Sequence, residues 1–439
     1  MTGLHDDVVE LTRELIRLDT TNRGSSGTET AAADLLRDHL AAAGVEVELV
    51  AREPSRANLV ARIPGTEPGA PSLAFVGHTD VVPVEGQHWT HPPFEAVVDD
   101  DGWLWGRGAV DMKNEVAART AAMTALAREG FRPRGDLWLL MVADEEDGSA
   151  DVGMRWLLEQ RPDIRPTMAI NEGGGERLAL ADGRAALAFS VGEKGTCPVR
   201  LVALGEAGHA SMPEVGDNAV PHLAGLLARI GSGMPDPVPS PVVDQTLQVL
   251  LGRPVGDLAA DIAEAAALHP ALGHGLPAIP GTTMAPTMLA ASTARNVMPA
   301  RASADLDCRT LPGTTAEEVL AAVRARLGDD VRYELELPER MVHGSSSPVT
   351  GPLPDAVVAC MAEEDPGALL LPVLCTGFTD SVHLRAAAGT AAYGFSPFRR
   401  TPAEVLAEGY HNADERVHVD DLRLSARFHV SLARRLLSG

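Results

Sequence analysis

The chain has 439 residues, more than one ordinary compact core accommodates, so two domains are expected. A formal net charge of −24 argues against nucleic acid or an anionic membrane surface as partner, because both would repel the chain. Hydrophobic residues at 45% and charged residues at 22% are the balance of a globular protein, and no apolar run approaches a membrane span.

Met1 to Asp7 offers neither the basic start nor the apolar run of a signal peptide. Cys197, Cys308, Cys360 and Cys375 are scattered without paired spacing, which points to a reducing compartment rather than a disulfide frame or a thiolate metal site. A cytoplasmic location is therefore expected. Lys113 and Lys194 are the only lysines among 37 basic residues, a bias to which no function is assigned.

In chain order, Leu4, Val8, Leu11, Leu15 and Leu18 recur at helical steps and predict a first helix ending before Thr20. A second is expected from about Thr28 to Ala43, stopped by Gly44. Short apolar runs then alternate with helical stretches, the pattern of an α/β sheet. Three of these runs end in possible ligands. Ser72 to Gly77 leads into His78-Thr79-Asp80, Leu137 to Ala143 into Asp144-Glu145-Glu146-Asp147, and Thr167 to Ile170 into Asn171-Glu172. Sites in open α/β sheets form at the carboxyl ends of strands, so three buried strands are expected to deliver a histidine and acids to one edge.

Beyond Gly192 the character changes. Residues 302–309 alternate like a half-buried antiparallel strand, a helix is predicted from about Thr315 to Leu327, and a strand from about Val331 to Leu337. Residues 194–340 read as an inserted α+β domain, with 1–193 and 341–439 forming the first domain.

The chemistry follows from side-chain type. An Asp two residues beyond a histidine can fix the ring tautomer of a metal ligand, as Asp80 would for His78. Asp111, after the glycine-rich Gly106-Arg107-Gly108, has two oxygens with which to bridge two cations. Glu145 and Glu146 are adjacent like charges that become tolerable beside cations, one as ligand and one as proton acceptor. Alone, each has an ordinary alternative: a strand-end histidine, a helix-capping Asp, a solvated acidic loop.

Together, Gly77-His78-Thr79-Asp80, Gly106 to Lys113 and Asp144-Glu145-Glu146 resemble the dizinc metallopeptidase family of carboxypeptidase G, aminoacylase, acetylornithine deacetylase and succinyl-diaminopimelate desuccinylase. The resemblance runs over essentially the whole chain. It implies a dizinc-exopeptidase-like catalytic domain with a central, mostly parallel sheet, and a lid and dimerisation domain at 194–340. It implies His78 and Glu172 on one zinc, Asp111 bridging, and Glu146 with His411 on the second, His411 lying in the motif Gly409-Tyr410-His411-Asn412. Glu145 would be the general base acting on a metal-bridged hydroxide. The peptide bond after Asp111 is expected to be cis, as in relatives. In the inserted domain, His209 would reach across a homodimer to the oxyanion, Asn296 would polarise the carbonyl, and Arg309 would grip a substrate carboxylate.

Gly377 and Thr379 belong to the family's substrate loop, but Phe378 stands where relatives usually carry a second Gly. His88, His91 and His418 are set aside as packing or surface histidines. The implied function is hydrolysis of an amide or peptide bond next to a free carboxylate, in an N-acyl amino acid or a short peptide. Zinc is the expected metal, with cobalt or manganese able to occupy the same ligands. A non-catalytic metal-containing binding protein on the same scaffold is the alternative. A desuccinylase ranks behind both, given Phe378 and the long segment from about 235 to 280.

Overall fold

The computed structural model describes residues 2–438 and divides the chain into two compact units. The first holds the residues up to Gly192, Ser347–Val373 and those from Thr379 onward; the second holds Glu193–Ser346 and Leu374–Phe378.

The first unit is a mixed sheet between helical layers. Its centre is parallel: the strands Leu137–Val142, Leu73–His78, Met168–Asn171 and Ala391–Gly394 lie side by side in that order. The first three are buried along their whole length, as continuous apolar runs require when helices cover both faces. Antiparallel strands flank this core, Ala57–Ile63 with Glu46–Ala51 on one side and Ala185–Glu193 on the other. The expected parallel character therefore holds for the centre, while the edges are antiparallel.

On one face the helices Thr2–Arg17, Lys113–Arg128 and Val419–Leu437 pack together. The first buries Val8, Leu11 and Leu15, as its periodicity predicts. Its last carbonyls are satisfied from another helix: the Lys113 ammonium donates to Leu15 O at 2.9 Å and Leu18 O at 2.7 Å. On the other face Val76, Leu140 and Ala169 pack with Met154, Leu157 and Leu384 from two shorter helices.

The second unit is an antiparallel sheet with two helices on one face. Its central strand Arg301–Thr310 alternates between buried and half-exposed residues, with Ala302, Ala304, Leu306 and Cys308 facing Leu223, Leu226, Val319 and Val323. The helix Ala316–Leu327 opens with a capping box, Thr315 and Glu318 bonding reciprocally. Lys194, like Lys113, is buried, and its ammonium donates to Ala278 O and Gly281 O. Among the described residues no helix is long and apolar enough to cross a membrane.

Candidate dimetal site

The three strand ends that carry candidate ligands meet on the first unit. His78 closes its strand, Glu145 and Glu146 follow the neighbouring one, and Glu172 follows the third. The His78 Nε2 atom lies 3.1 Å from Asp111 Oδ1, 3.5 Å from Glu172 Oε2 and 4.0 Å from Glu145 Oε2. From the other side His411 Nε2 lies 3.3 Å from Asp111 Oδ2 and 3.1 Å from Glu146 Oε2. Asp111 thus turns one oxygen toward each histidine, the disposition a bridging carboxylate needs. Two overlapping groups bring ligand atoms within 4.8 Å of one another: His78, Asp111 and Glu146, and His78, Glu145 and Glu172.

Glu146 Oε1 and Glu172 Oε1 are buried without a hydrogen-bond partner among the described residues. Such atoms are costly in a folded protein, and divalent cations would satisfy both. The electrostatics agree. Burial and Glu172 push Glu145 well above the usual carboxylate range, and burial with Asp111 lifts Glu146 to about 7. Hydrogen bonding to Asp111 and Glu146 raises His411 to about 10. Burial works to raise the Asp111 pKa, but the two histidines outweigh it and hold it below the ordinary value. So many acids around two histidines is an arrangement that awaits positive charge.

The supporting shell is specific. His78 Nδ1 lies 3.0 Å from the Asp80 backbone carbonyl and 3.5 Å from its carboxylate, so the carbonyl is the nearer orienting group. The Asp80 carboxylate accepts from Glu146 N at 3.1 Å, Glu145 N at 3.3 Å and Asn22 Nδ2 at 2.9 Å. It therefore fixes the turn that carries the two glutamates. Behind it Asn22 also donates to Asp144, which Arg56 links to Glu29 in a buried chain.

Two organisers escape sequence reading. Glu415 is fully buried; its carboxylate accepts from Gly108 N at 2.9 Å, Val110 N at 2.6 Å, Asp111 N at 2.9 Å and Arg107 Nη1 at 2.8 Å. It clamps the glycine turn that presents Asp111, and the Asp111–Met112 peptide is cis. Gly108 sits at φ +87° in that turn, where a Cβ would meet the Lys113 side chain at 2.8 Å. Arg119 donates to Val76 O at 2.5 Å and to Asn171 O at 3.0 Å, joining two of the strands that carry candidate ligands near their ends. The one local signal for Glu415 is its place four residues after His411; nothing local marks Arg119.

The remaining residues of interest divide between the units. In the second, Gly208–His209 pairs with Val297–Met298, and Ala210 N donates to Asn296 O at 3.0 Å, so His209 and Asn296 lie on adjoining segments. Ser211 donates to His209 Nδ1 through its amide at 3.2 Å, and its hydroxyl lies 2.8 Å from the same atom. Arg309 is held by Asp307 through contacts of 2.7 and 3.0 Å. Gly377 falls in the second unit and the buried Thr379 in the first. His418 caps the last long helix by accepting from Asp420 N, so its two-residue step to an Asp, the same as that from His78 to Asp80, belongs to a helix start.

Comparison with known proteins agrees with this constellation. The profile of Peptidase family M20/M25/M40 matches residues 74–435. Human aminoacylase-1 is 30% identical over 81% of this chain and 77% of its own length. Succinyl-diaminopimelate desuccinylase of Paracoccus denitrificans is 29% identical over 98% of each chain. An M20 family metallo-carboxypeptidase from Sulfolobus solfataricus superposes with a TM-score of 0.70 at 18% identity, covering 98% of this chain and 99% of its own. A Bacillus subtilis protein described as a dinuclear metal-binding peptidase of the M20 family has a TM-score of 0.58 at 14% identity, covering 100% and 99%. By profile, by sequence relatives and by fold, the chain belongs to the peptidase family M20/M25/M40 and is a metal-dependent hydrolase.

Proposed function

We propose that this hydrolase cleaves the amide bond of an N-acyl amino acid or a short peptide next to a free carboxylate. The observation that carries the reading is Asp111 set between His78 and His411 at 3.1 and 3.3 Å, with Glu145 beside His78 and outside the two-histidine bridge. Two divalent cations, zinc by preference, held by His78, Asp111, Glu146, Glu172 and His411 would polarise the scissile carbonyl and lower the pKa of water.

Glu145 takes the proton of the attacking water and returns it to the leaving nitrogen. Its burial beside Glu172 raises its affinity for a proton, which suits it to receive one from water. Asp80 keeps Glu145 in place through the backbone amide. His209 and Asn296 are assigned to the developing oxyanion and the carbonyl, and Arg309 to the substrate carboxylate, on the strength of the family resemblance. The same resemblance supports a lid role for residues 194–340 and a homodimer formed through them. Cytoplasmic location is supported by four cysteines that are all thiols.

The desuccinylase reading is favoured by one observation, an alignment that spans 98% of both chains. A panel of N-acetyl amino acids, dipeptides and N-succinyl amino acids separates the readings. It is run on metal-stripped protein, zinc-restored protein and Glu145→Ala. Turnover of N-acetyl amino acids or dipeptides that returns with zinc and is lost in Glu145→Ala supports the proposal. Turnover confined to the N-succinyl compounds supports the desuccinylase. Stoichiometric zinc binding without turnover of any member rejects both and leaves a substrate outside the panel or a binding protein.

A further inference from the structure

A cavity of about 390 Å³ lies on the first unit between the start of the Thr2–Arg17 helix, the Arg399–Arg400 turn and the first half of the Val419–Leu437 helix. It shares no residue with the dimetal site. Four arginines line it, Arg399, Arg400, Arg423 and Arg427, together with His5, against three aspartates, Asp6, Asp420 and Asp421. That concentration of cations stands out on a chain of net charge −24.

We propose that this cavity binds a small multiply charged anion, one carrying a phosphate group or clustered carboxylates. Two of the carboxylates in the lining are already engaged: Asp421 accepts from the amides of Arg399 at 2.9 Å, Arg400 at 2.9 Å and Thr401 at 2.7 Å, and Asp420 accepts from Arg423 Nη1 at 2.8 Å. Arg427 is anchored by Glu364 through contacts of 3.1 and 3.0 Å, which leaves its Nη1 against His5 Nε2 at 3.3 Å. The Arg400 guanidinium has no hydrogen-bond or ion-pair partner among the described residues. Burial, with the field of Arg427 and Arg423, lowers the His5 pKa against the opposing pull of Asp6. Guanidinium forks match phosphate and carboxylate oxygens in pairs, and the volume suits a small metabolite better than a bare ion.

The test is calorimetric titration of the metal-loaded full chain with inorganic phosphate, glucose 6-phosphate and citrate, at ionic strength matched with chloride. Wild type, Arg400→Gln and the double variant Arg400→Gln/Arg423→Gln are compared, with circular dichroism as the folding control. The expected result is a saturable site for at least one probe, weakened about tenfold in the double variant. The weakening should already be measurable in Arg400→Gln, whose exposed side chain supports no other group. Preference among the probes decides between phosphate ester and polycarboxylate. Absence of saturation with all three overturns the proposal. So does binding that survives both substitutions unchanged, since such binding belongs to the metal centre. Hydrolytic activity should be the same in all three proteins, so failure here leaves the reading of the dimetal site untouched.

Discussion

Glu415 offers the sharpest check on how the site is built. Replacing it with Ala removes a carboxylate that four donors share: the amides of Gly108, Val110 and Asp111 and the Arg107 guanidinium. A buried donor left unsatisfied costs about 1–3 kcal/mol, and removing one partner of a buried ion pair costs about 3–5 kcal/mol. These terms overlap, because water entering the vacated space satisfies some donors. The expected loss is therefore about 3–5 kcal/mol, the range of the ion pair alone. Glu415→Gln keeps the shape but turns an amide NH2 toward other donors, and should lose about half as much. Urea denaturation of metal-free protein measures both. Cobalt titration against a competing chelator, followed by visible absorption, then reports on Asp111. Affinity should fall about tenfold in Glu415→Gln, the usual effect of losing a ligand's supporting partner. Stability within about 1 kcal/mol of wild type in Glu415→Ala, with unchanged cobalt affinity, would refute the clamp.

Three further outcomes are expected. Glu145→Gln should bind its cations at unchanged stoichiometry while kcat falls by about 10²–10⁴, the contribution of a general base; a drop in bound metal would instead make Glu145 a ligand. His411→Ala should lower the metal content measured by atomic emission from about two ions per chain toward one, because Glu146 and Asp111 lose their shared partner. His429 is buried, and burial with Arg119 holds its pKa well below 6.5. Below that pH the unfolded chain takes up a proton that the folded one refuses, so stability is full above 6.5 and falls as the pH drops. The limiting slope is about 1.4 kcal/mol per pH unit. His429→Gln should remove that slope from denaturation curves between pH 5 and 6.5, and an unchanged slope would assign it elsewhere.

The strand ends were legible because burial on both faces forces continuous apolar runs, and polar residues at their ends then stand out. His78, Glu145, Glu146 and Glu172 share that context. The 301–310 strand was legible for the opposite reason, a clean alternation from one covered face. Asp111 and His411 lie in loops, where pattern alone favoured a helix cap for Asp111 and singled out nothing at His411; only the order of motifs along the chain set them apart. Glu415 and Arg119 were out of reach, since their partners sit 304 to 308 and 43 to 52 residues away. The role of Asp80 was half legible: its place beside His78 is local, but its hold on the glutamate turn crosses between two strands.

The two lysines carry a consequence for handling the protein. Lys113 and Lys194 are 0% and 1% exposed, and each ammonium is committed to two backbone carbonyls. Activated esters and other acylating reagents therefore meet no lysine on the folded surface, and side-chain labelling through amines reads out unfolding instead. The folded chain thus offers reactive acyl donors no lysine of its own to capture them.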